Sequence, residues 1–190
     1  MHPTQHLPSR QAEEQWLTRY YFARAAFSIA WLIAALTLAK NSASLAAALI
    51  VAYPIWDALA NFADGQRSGG ITRNRTQAVN AVVSLAVAIA LAVTLPDMNR
   101  VLGVFGAWAI LSGLLQLGTA LRRWKTYGAQ WAMILSGAQS ALAGGVFMFQ
   151  AQSSTVPSIA TVAGYAGFGG FYFLVSALSL RFAGMRRKNA

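Results

Sequence analysis

The sequence contains no cysteine and few acidic residues. The absence of cysteine excludes a disulfide framework, thiolate metal sites and a cysteine nucleophile, and it leaves the redox compartment open. Only five carboxylates oppose fifteen lysines and arginines, so the formal net charge is +10. In a soluble protein this surplus would suggest nucleic-acid binding, but no basic stripe with interleaved aromatic residues stands clear of the apolar segments. We therefore expect no nucleic-acid partner.

Recognisable catalytic and cofactor motifs are also missing. The sequence has no phosphate-binding glycine loop ending in Lys-Ser/Thr, no Gly-x-Ser-x-Gly turn and no HExxH zinc helix. His2 and His6 lie four residues apart but have no neighbouring acidic or cysteine ligand, so they do not predict a metal site. We expect a protein that is not an enzyme, with no catalytic residue, no metal and no cofactor.

What the chain does contain is long apolar runs. Hydrophobic residues make up 56% of it and charged residues 11%, a composition that does not fit a soluble domain. A helix needs about 20 largely apolar residues to cross the hydrocarbon core of a bilayer. Six segments meet this requirement, and none alternates in polarity like a membrane β-strand. The sequence therefore predicts an all-α integral membrane bundle of six transmembrane helices, over residues 22–39, 44–63, 77–95, 101–121, 129–150 and 158–180.

The basic residues are concentrated on one side of these spans. Thirteen of them lie on one side: they flank the first helix, lie in the connectors between the second and third helices and between the fourth and fifth, or follow the sixth helix. The other side has only Lys40 and Arg100. The positive-inside rule then places both termini in the cytoplasm. We divide the chain into a cytoplasmic tail with a short interfacial helix (1–21), a transmembrane domain (22–182) and a basic cytoplasmic tail (183–190). Residues 1–8 are expected to be disordered. The lipid bilayer and its anionic headgroups are the expected partners; the oligomeric state stays open, a homo-oligomer among the alternatives.

The six spans form three predicted hairpins that share a weak internal repeat. On the first helices, Ser28, Ser84 and Ser136 fall at matching depths. On the second helices an aromatic pair recurs with three-residue spacing, as Tyr53 and Trp56, Phe105 and Trp108, and Tyr165 and Phe168. Because each unit contains two spans, successive units enter the membrane from the same side and the repeat is parallel. Chance spacing in a low-complexity apolar sequence is the alternative explanation.

Residues 106–121, 130–137 and 164–176 combine apolar runs with regularly placed glycines and serines. In this patterning the second and third hairpins resemble the short-repeat membrane family typified by the HdeD acid-resistance protein, and the first hairpin resembles it more loosely. The resemblance implies a six-helix protein of the bacterial inner membrane, linked in some members to acid stress. It implies no catalytic residues.

Ionisable residues inside the predicted spans are the main candidates for a functional site, because each costs at least a few kcal/mol near the bilayer centre unless it is paired or hydrated. Arg24 and Asp57 both lie toward the cytoplasmic ends of adjacent spans, so antiparallel pairing would bring them together. Asn61, one turn from Asp57, and Asn80 on the third span complete a candidate polar cluster. One interpretation is a structural ion pair, with Arg24 extending toward the headgroups. A second is a protonatable Asp57 in a polar cavity, and a third is an Asp57 that is simply exposed to interfacial water.

Two functions are consistent with these features. The first is a non-enzymatic, HdeD-like inner-membrane protein that contributes to acid or envelope stress tolerance. The second is a small transporter or channel whose polar path surrounds Asp57. A closed Arg24–Asp57 pair in a solid bundle would favour the first, whereas a cavity that reaches Asp57 would favour the second.

Overall fold

The computed structural model describes residues 10–126 and 130–188. Over these residues the chain is helical and contains no strand. The helices are α1 (Arg10–Thr37), α2 (Ala43–Arg67), α3 (Arg75–Thr94), α4 (Met98–Arg123), α5 (Gln130–Gln150) and α6 (Ile159–Lys188), with a short 3-10 turn at Ala39–Asn41. All six helices are long and apolar enough to cross a membrane, which confirms the predicted all-α membrane bundle. His2, His6 and the expected disordered segment 1–8 lie outside the described residues.

The helix ends follow from local sequence. Ser42 caps α2 and Asp97 caps α4, since each side chain accepts hydrogen bonds from backbone N–H groups of the first turn. Between α2 and α3 the chain turns at Gly69 and Gly70, whose φ angles of 101° and 98° lie in the region that favours glycine. These short connections make consecutive helices antiparallel.

The first and last helices extend past the boundaries suggested by hydropathy. α1 is continuous, so the interfacial helix and the first span, which the sequence suggested as separate segments, form one helix. The reason is the stripe of Leu17, Tyr21 and Ala25 at four-residue spacing, which is buried in a cluster that includes Phe173 of α6. α6 likewise continues to Lys188, into the segment expected to be a basic tail.

The six helices form a closed ring in chain order. Each helix packs against its neighbours along the chain, and α6 returns to pack against α1. We call the side where α1 begins and α6 ends the terminal side, and the opposite side, which holds the α1–α2, α3–α4 and α5–α6 connections, the short-loop side. The tightest pairs are α1 with α6, α2 with α3 and α4 with α5, whereas α1 and α2 pack least closely among consecutive helices. The predicted hairpins therefore describe how the helices are connected along the chain, but the closest packing is between helices of different hairpins.

Glycines account for the tightest of these pairs, α4 with α5. A Cβ atom built on Gly113 would lie 2.6 Å from the carbonyl oxygen of Gly137, and one built on Gly137 would lie 2.7 Å from that of Gly113. Nearer the short-loop side, a Cβ atom on Gly106 would lie 2.8 Å from the carbonyl oxygen of Gly144. The two backbones can approach so closely only because these positions have no side chain.

Aromatic rings form a layer in the short-loop half of the bundle, and a separate cavity of about 550 Å³ lies nearer the short loops, lined by residues that include Ala35, Ile50 and Ile159. We call this cluster of rings the aromatic layer; its neighbouring rings have centroids 5.0–6.3 Å apart, and its members are Tyr53, Phe105, Trp108, Phe147 and Tyr165. Three of them are the equivalent repeat positions Tyr53, Phe105 and Tyr165, one from each even-numbered helix. The sequence repeat thus corresponds to residues that meet at the centre of the ring.

The serines of the odd-numbered helices bond to this layer. Ser28 Oγ lies 3.2 Å from Tyr53 Oη, and Ser140 Oγ lies 2.7 Å from Tyr165 Oη. Ser140, and not Ser136, is therefore the structural counterpart of Ser28. Ser136 and Ser140 are one helical turn apart on α5. The spacing of serines in an apolar sequence does not show which of the two is equivalent to Ser28.

Candidate functional site

Arg24 and Asp57 form a buried salt bridge at the centre of the bundle. The Arg24 guanidinium donates to Asp57 Oδ1, and the two side chains are 13% and 7% exposed. Asp57 Oδ2 accepts from Asn61 Nδ2 at 3.0 Å and from Ser84 Oγ at 2.8 Å. Ser84 in turn accepts from Trp108 Nε1 at 2.9 Å. The carboxylate thus anchors a network that joins α1, α2, α3 and α4.

The Arg24 side chain points into the bundle. This differs from the interpretation of the sequence in which Arg24 extends toward the lipid headgroups. Its guanidinium donates to Tyr20 Oη at 3.0 Å and lies 4.3 Å from the centroid of the Phe173 ring, a cation–π distance. Its Nε is buried and has no hydrogen-bond partner among the described residues. Arg24 therefore keeps an unused donor beside the ion pair.

Asn80 belongs to the same site but not to the hydrogen-bonded network. It is 6% exposed, and its Oδ1 is buried without a partner among the described residues. Asn80, Arg24 and Asp57 all line one cavity. The structure thus brings Arg24, Asp57 and Asn61 into direct contact and places Asn80 in the wall next to them.

A second buried ion pair lies about two turns closer to the terminal side. Arg123 Nη2 lies 2.9 Å from Asp64 Oδ2, and Gln77 Nε2 donates to the same oxygen at 2.7 Å. Asp64 is only 1% exposed. The sequence interpretation left both charged residues in connectors, because hydropathy ends the spans before them. The sequence does contain one signal that places Asp64 with the site. Asp57, Asn61 and Asp64 are spaced i, i+4 and i+7, so they share one face of a helix.

A cavity of about 280 Å³ lies inside the ring, and we call it the central cavity. All six helices contribute to its wall, and its polar lining includes Arg24, Asp57, Asn80, Ser112, Gln116, Ser136 and Gln139. On the short-loop side its lining includes Tyr53, Trp108, Phe147 and Tyr165 of the aromatic layer. It also reaches the cleft between α5 and α6 at Phe168, which is 58% exposed.

Two further cavities continue from the central one toward the terminal side. A small inner cavity of about 40 Å³ shares Arg24, Asn80 and Gln116 with it and contains the Asp64–Arg123 pair. A vestibule of about 290 Å³ shares Gln77, Thr119 and Arg123 with the inner cavity, and its lining includes the exposed Arg122 and Thr126. The three adjacent cavities, which we call the polar path, lie in series between the terminal-side surface and the level of Asp57.

No protein-family model, curated protein or solved structure matches this chain. Over residues 10–126 and 130–188, no group of three or more His, Cys, Asp or Glu side chains could hold a metal ion. The site instead offers an ion pair without net charge, surrounded by amide and hydroxyl groups in a cavity large enough for several waters or a small polar molecule.

Proposed function

We propose that this multi-pass membrane protein is a small transporter or channel whose polar path runs from the terminal side to Asp57. In this arrangement the aromatic layer closes the path toward the short-loop side, and on the terminal side the Asp64–Arg123 pair separates the vestibule from the central cavity. The protein acts without catalysing a reaction. By the distribution of basic residues, the terminal side is the cytoplasmic face. The HdeD resemblance implies that the membrane is a bacterial inner membrane.

The observation that carries the proposal is the central cavity beside the ion pair. A pair that only fixed helix register would be stabilised by close packing, because each ionised group in a membrane interior needs compensation on every side. Here the pair instead borders about 280 Å³ of space, and the same cavity is lined by Asn80, whose buried Oδ1 has no hydrogen-bond partner among the described residues. An unsatisfied amide oxygen is costly within a membrane, so water or a polar solute is its natural partner.

The two ion pairs are the natural control points of such a path. The Asp64–Arg123 pair lies between the vestibule and the central cavity, and the Arg24–Asp57 pair lies at the inner end. A proton or a charged solute that reaches Asp57 would compete with Arg24 for the carboxylate. Release of Arg24 would loosen α1 from α2, the pair of consecutive helices with the least packing to oppose movement.

A role in acid tolerance, which the HdeD resemblance implies, stays a prediction. A polar path that runs from the terminal side toward a buried ion pair is suited to it, because acid on that side would act on the pair. Growth of a deletion strain after acid challenge, with and without a plasmid carrying Asp57→Asn, would test this role separately from transport.

Proton flux into proteoliposomes is the direct test of the proposal. An imposed pH difference should drive protons through the wild-type protein, as followed with an entrapped pH-sensitive dye, and Asp57→Asn should abolish this flux. The matched control is Asp97→Asn, which changes an exposed carboxylate on the short-loop side that can still cap α4. Flux equal to that of empty liposomes for the wild type would contradict the proposal, and unchanged flux in Asp57→Asn would exclude Asp57 as the titrating group.

A further inference from the structure

A groove of about 600 Å³ lies between α1 and α6 on the terminal side, outside the polar path. Its floor contains Phe22 and Leu180, and three arginines and one glutamate line it. Arg187 is bound to Glu14 in a salt bridge, which leaves Arg19 and Arg181 as the uncompensated charges. The groove therefore combines an apolar floor with a net positive rim.

Arg19 and Arg181 have no salt-bridge partner within residues 10–126 and 130–188. Both side chains are exposed, and both face the same groove. Two guanidinium groups on one groove repel each other unless an anion lies between them. Guanidinium groups bind phosphate oxygens through paired N–H donors, so a phosphate group is the anion that fits this arrangement best.

The depth of the two arginines indicates where that phosphate would come from. About 20 helical residues cross the hydrocarbon core. Counting this length from Thr37 at the short-loop end of α1, and from Ile159 at the same end of α6, brings both helices to the opposite boundary close to Arg19 and Arg181. The two guanidinium groups thus lie at the level of lipid phosphates.

The surface next to the groove is apolar and faces lipid. Toward the bilayer centre, Leu178 lies about one turn from Arg181 on α6 and is 36% exposed, and Ile29 on α1 is 39% exposed. Acyl chains can therefore continue from the groove onto this surface without crossing a polar region.

From this combination we infer that the α1–α6 groove is a binding site for an anionic phospholipid, with its phosphate between Arg19 and Arg181 and its acyl chains over Phe22 and Leu180. The site stands independently of transport through the polar path. It is a specific contact, in addition to the general attraction of a basic protein surface to anionic lipid.

Thermal stability of the delipidated protein in neutral detergent provides the test. Phosphatidylglycerol should raise the unfolding temperature saturably, whereas phosphatidylcholine and inorganic phosphate should not. Arg19→Gln/Arg181→Gln removes both guanidinium contacts to the phosphate and should weaken the apparent affinity for phosphatidylglycerol about tenfold or more. Arg19→Lys/Arg181→Lys, which keeps both charges, should retain most of the response.

The matched control is Arg73→Gln/Arg75→Gln, which removes two exposed arginines from the same side without touching the groove. This variant should respond like the wild type. An equal loss of response in both double glutamine variants would mean that only net charge matters, and would overturn the inference. So would a response to inorganic phosphate as large as that to the lipid, or dimerisation that accounts for the stabilisation.

Discussion

The terminal-side half of the bundle carries two buried ion pairs in a series of polar cavities, whereas the short-loop half contains a layer of aromatic rings in mutual contact. The same six helices run through both halves. Hydroxyl groups of Ser28 and Ser140 contact the rings in one half, and charged and amide groups line a cavity in the other. This contrast is what a path closed at one end requires.

The helix pairs are also held together differently. Glycine contacts join α4 to α5, and they leave no space for water. The Arg24–Asp57 pair instead joins α1 to α2, the least closely packed consecutive helices, and the Arg123–Asp64 pair joins α4 to α2 across the intervening α3. Polar contacts therefore connect helices where packing does not, and such contacts can open without breaking a packed core.

Loss of one partner of the central ion pair should have the largest effect on stability. Arg24→Leu leaves Asp57 charged and unpaired in the bundle, so we expect the free energy of unfolding to fall by about 3–5 kcal/mol. Arg24→Leu/Asp57→Leu removes both charges and should recover most of that loss. The unfolding free energies of the single and double variants can be measured in mixed micelles with increasing fractions of a denaturing detergent. Equal losses in the single and double variants would mean that the charges are not coupled.

Truncation within the aromatic layer should come next. Phe105 is fully buried, and Phe105→Ala should cost about 3 kcal/mol because it leaves a cavity among rings that cannot all collapse into it. Phe149→Ala is the control, since Phe149 is 79% exposed at the end of α5 and should change the unfolding free energy little. Similar losses for the two variants would show that the short-loop half is not the packed end of the bundle.

A methyl group added at the α4–α5 contact should have a smaller effect. Gly113→Ala should destabilise by about 1–3 kcal/mol, because the added carbon meets the Gly137 carbonyl group and the backbones must separate. Gly118→Ala on the same helix meets no atom within 4 Å and should be neutral or slightly stabilising. The same unfolding assay applies, and a neutral Gly113→Ala would contradict the close approach of the two helices.

Much of this contrast follows from the sequence by simple physical rules. Run length identifies the six spans, because the hydrocarbon core sets a minimum helix length. Adjacent antiparallel spans predict the Arg24–Asp57 contact, because the two residues lie at similar depth on consecutive helices. Tyr53, Phe105 and Tyr165 recur at equivalent positions of the repeat, and this recurrence marks the residues that meet at the centre of the ring.

The remaining features depend on tertiary packing. Arg123 and Asp64 are 59 residues apart and meet only because α2 and α4 continue past the apolar windows into the polar path. The uninterrupted α1 reflects burial of Leu17 and Tyr21 against α6, a contact between opposite ends of the chain. The hydropathy of a segment contains no information about contacts with distant parts of the chain. The spans predicted from hydropathy are therefore shorter than the helices.

Water access along α4 tests the central claim most directly, and the absence of native cysteine makes single-cysteine variants clean reporters. We expect Thr119→Cys in the vestibule and Ser112→Cys in the central cavity to react with a membrane-impermeant thiol reagent added from the terminal side, with Ser112→Cys reacting more slowly. Neither should react from the short-loop side, and lipid-facing Leu114→Cys should react from neither. A Ser112→Cys variant that stays unreactive from the terminal side, or that reacts from the short-loop side, would contradict a polar path closed by the aromatic layer.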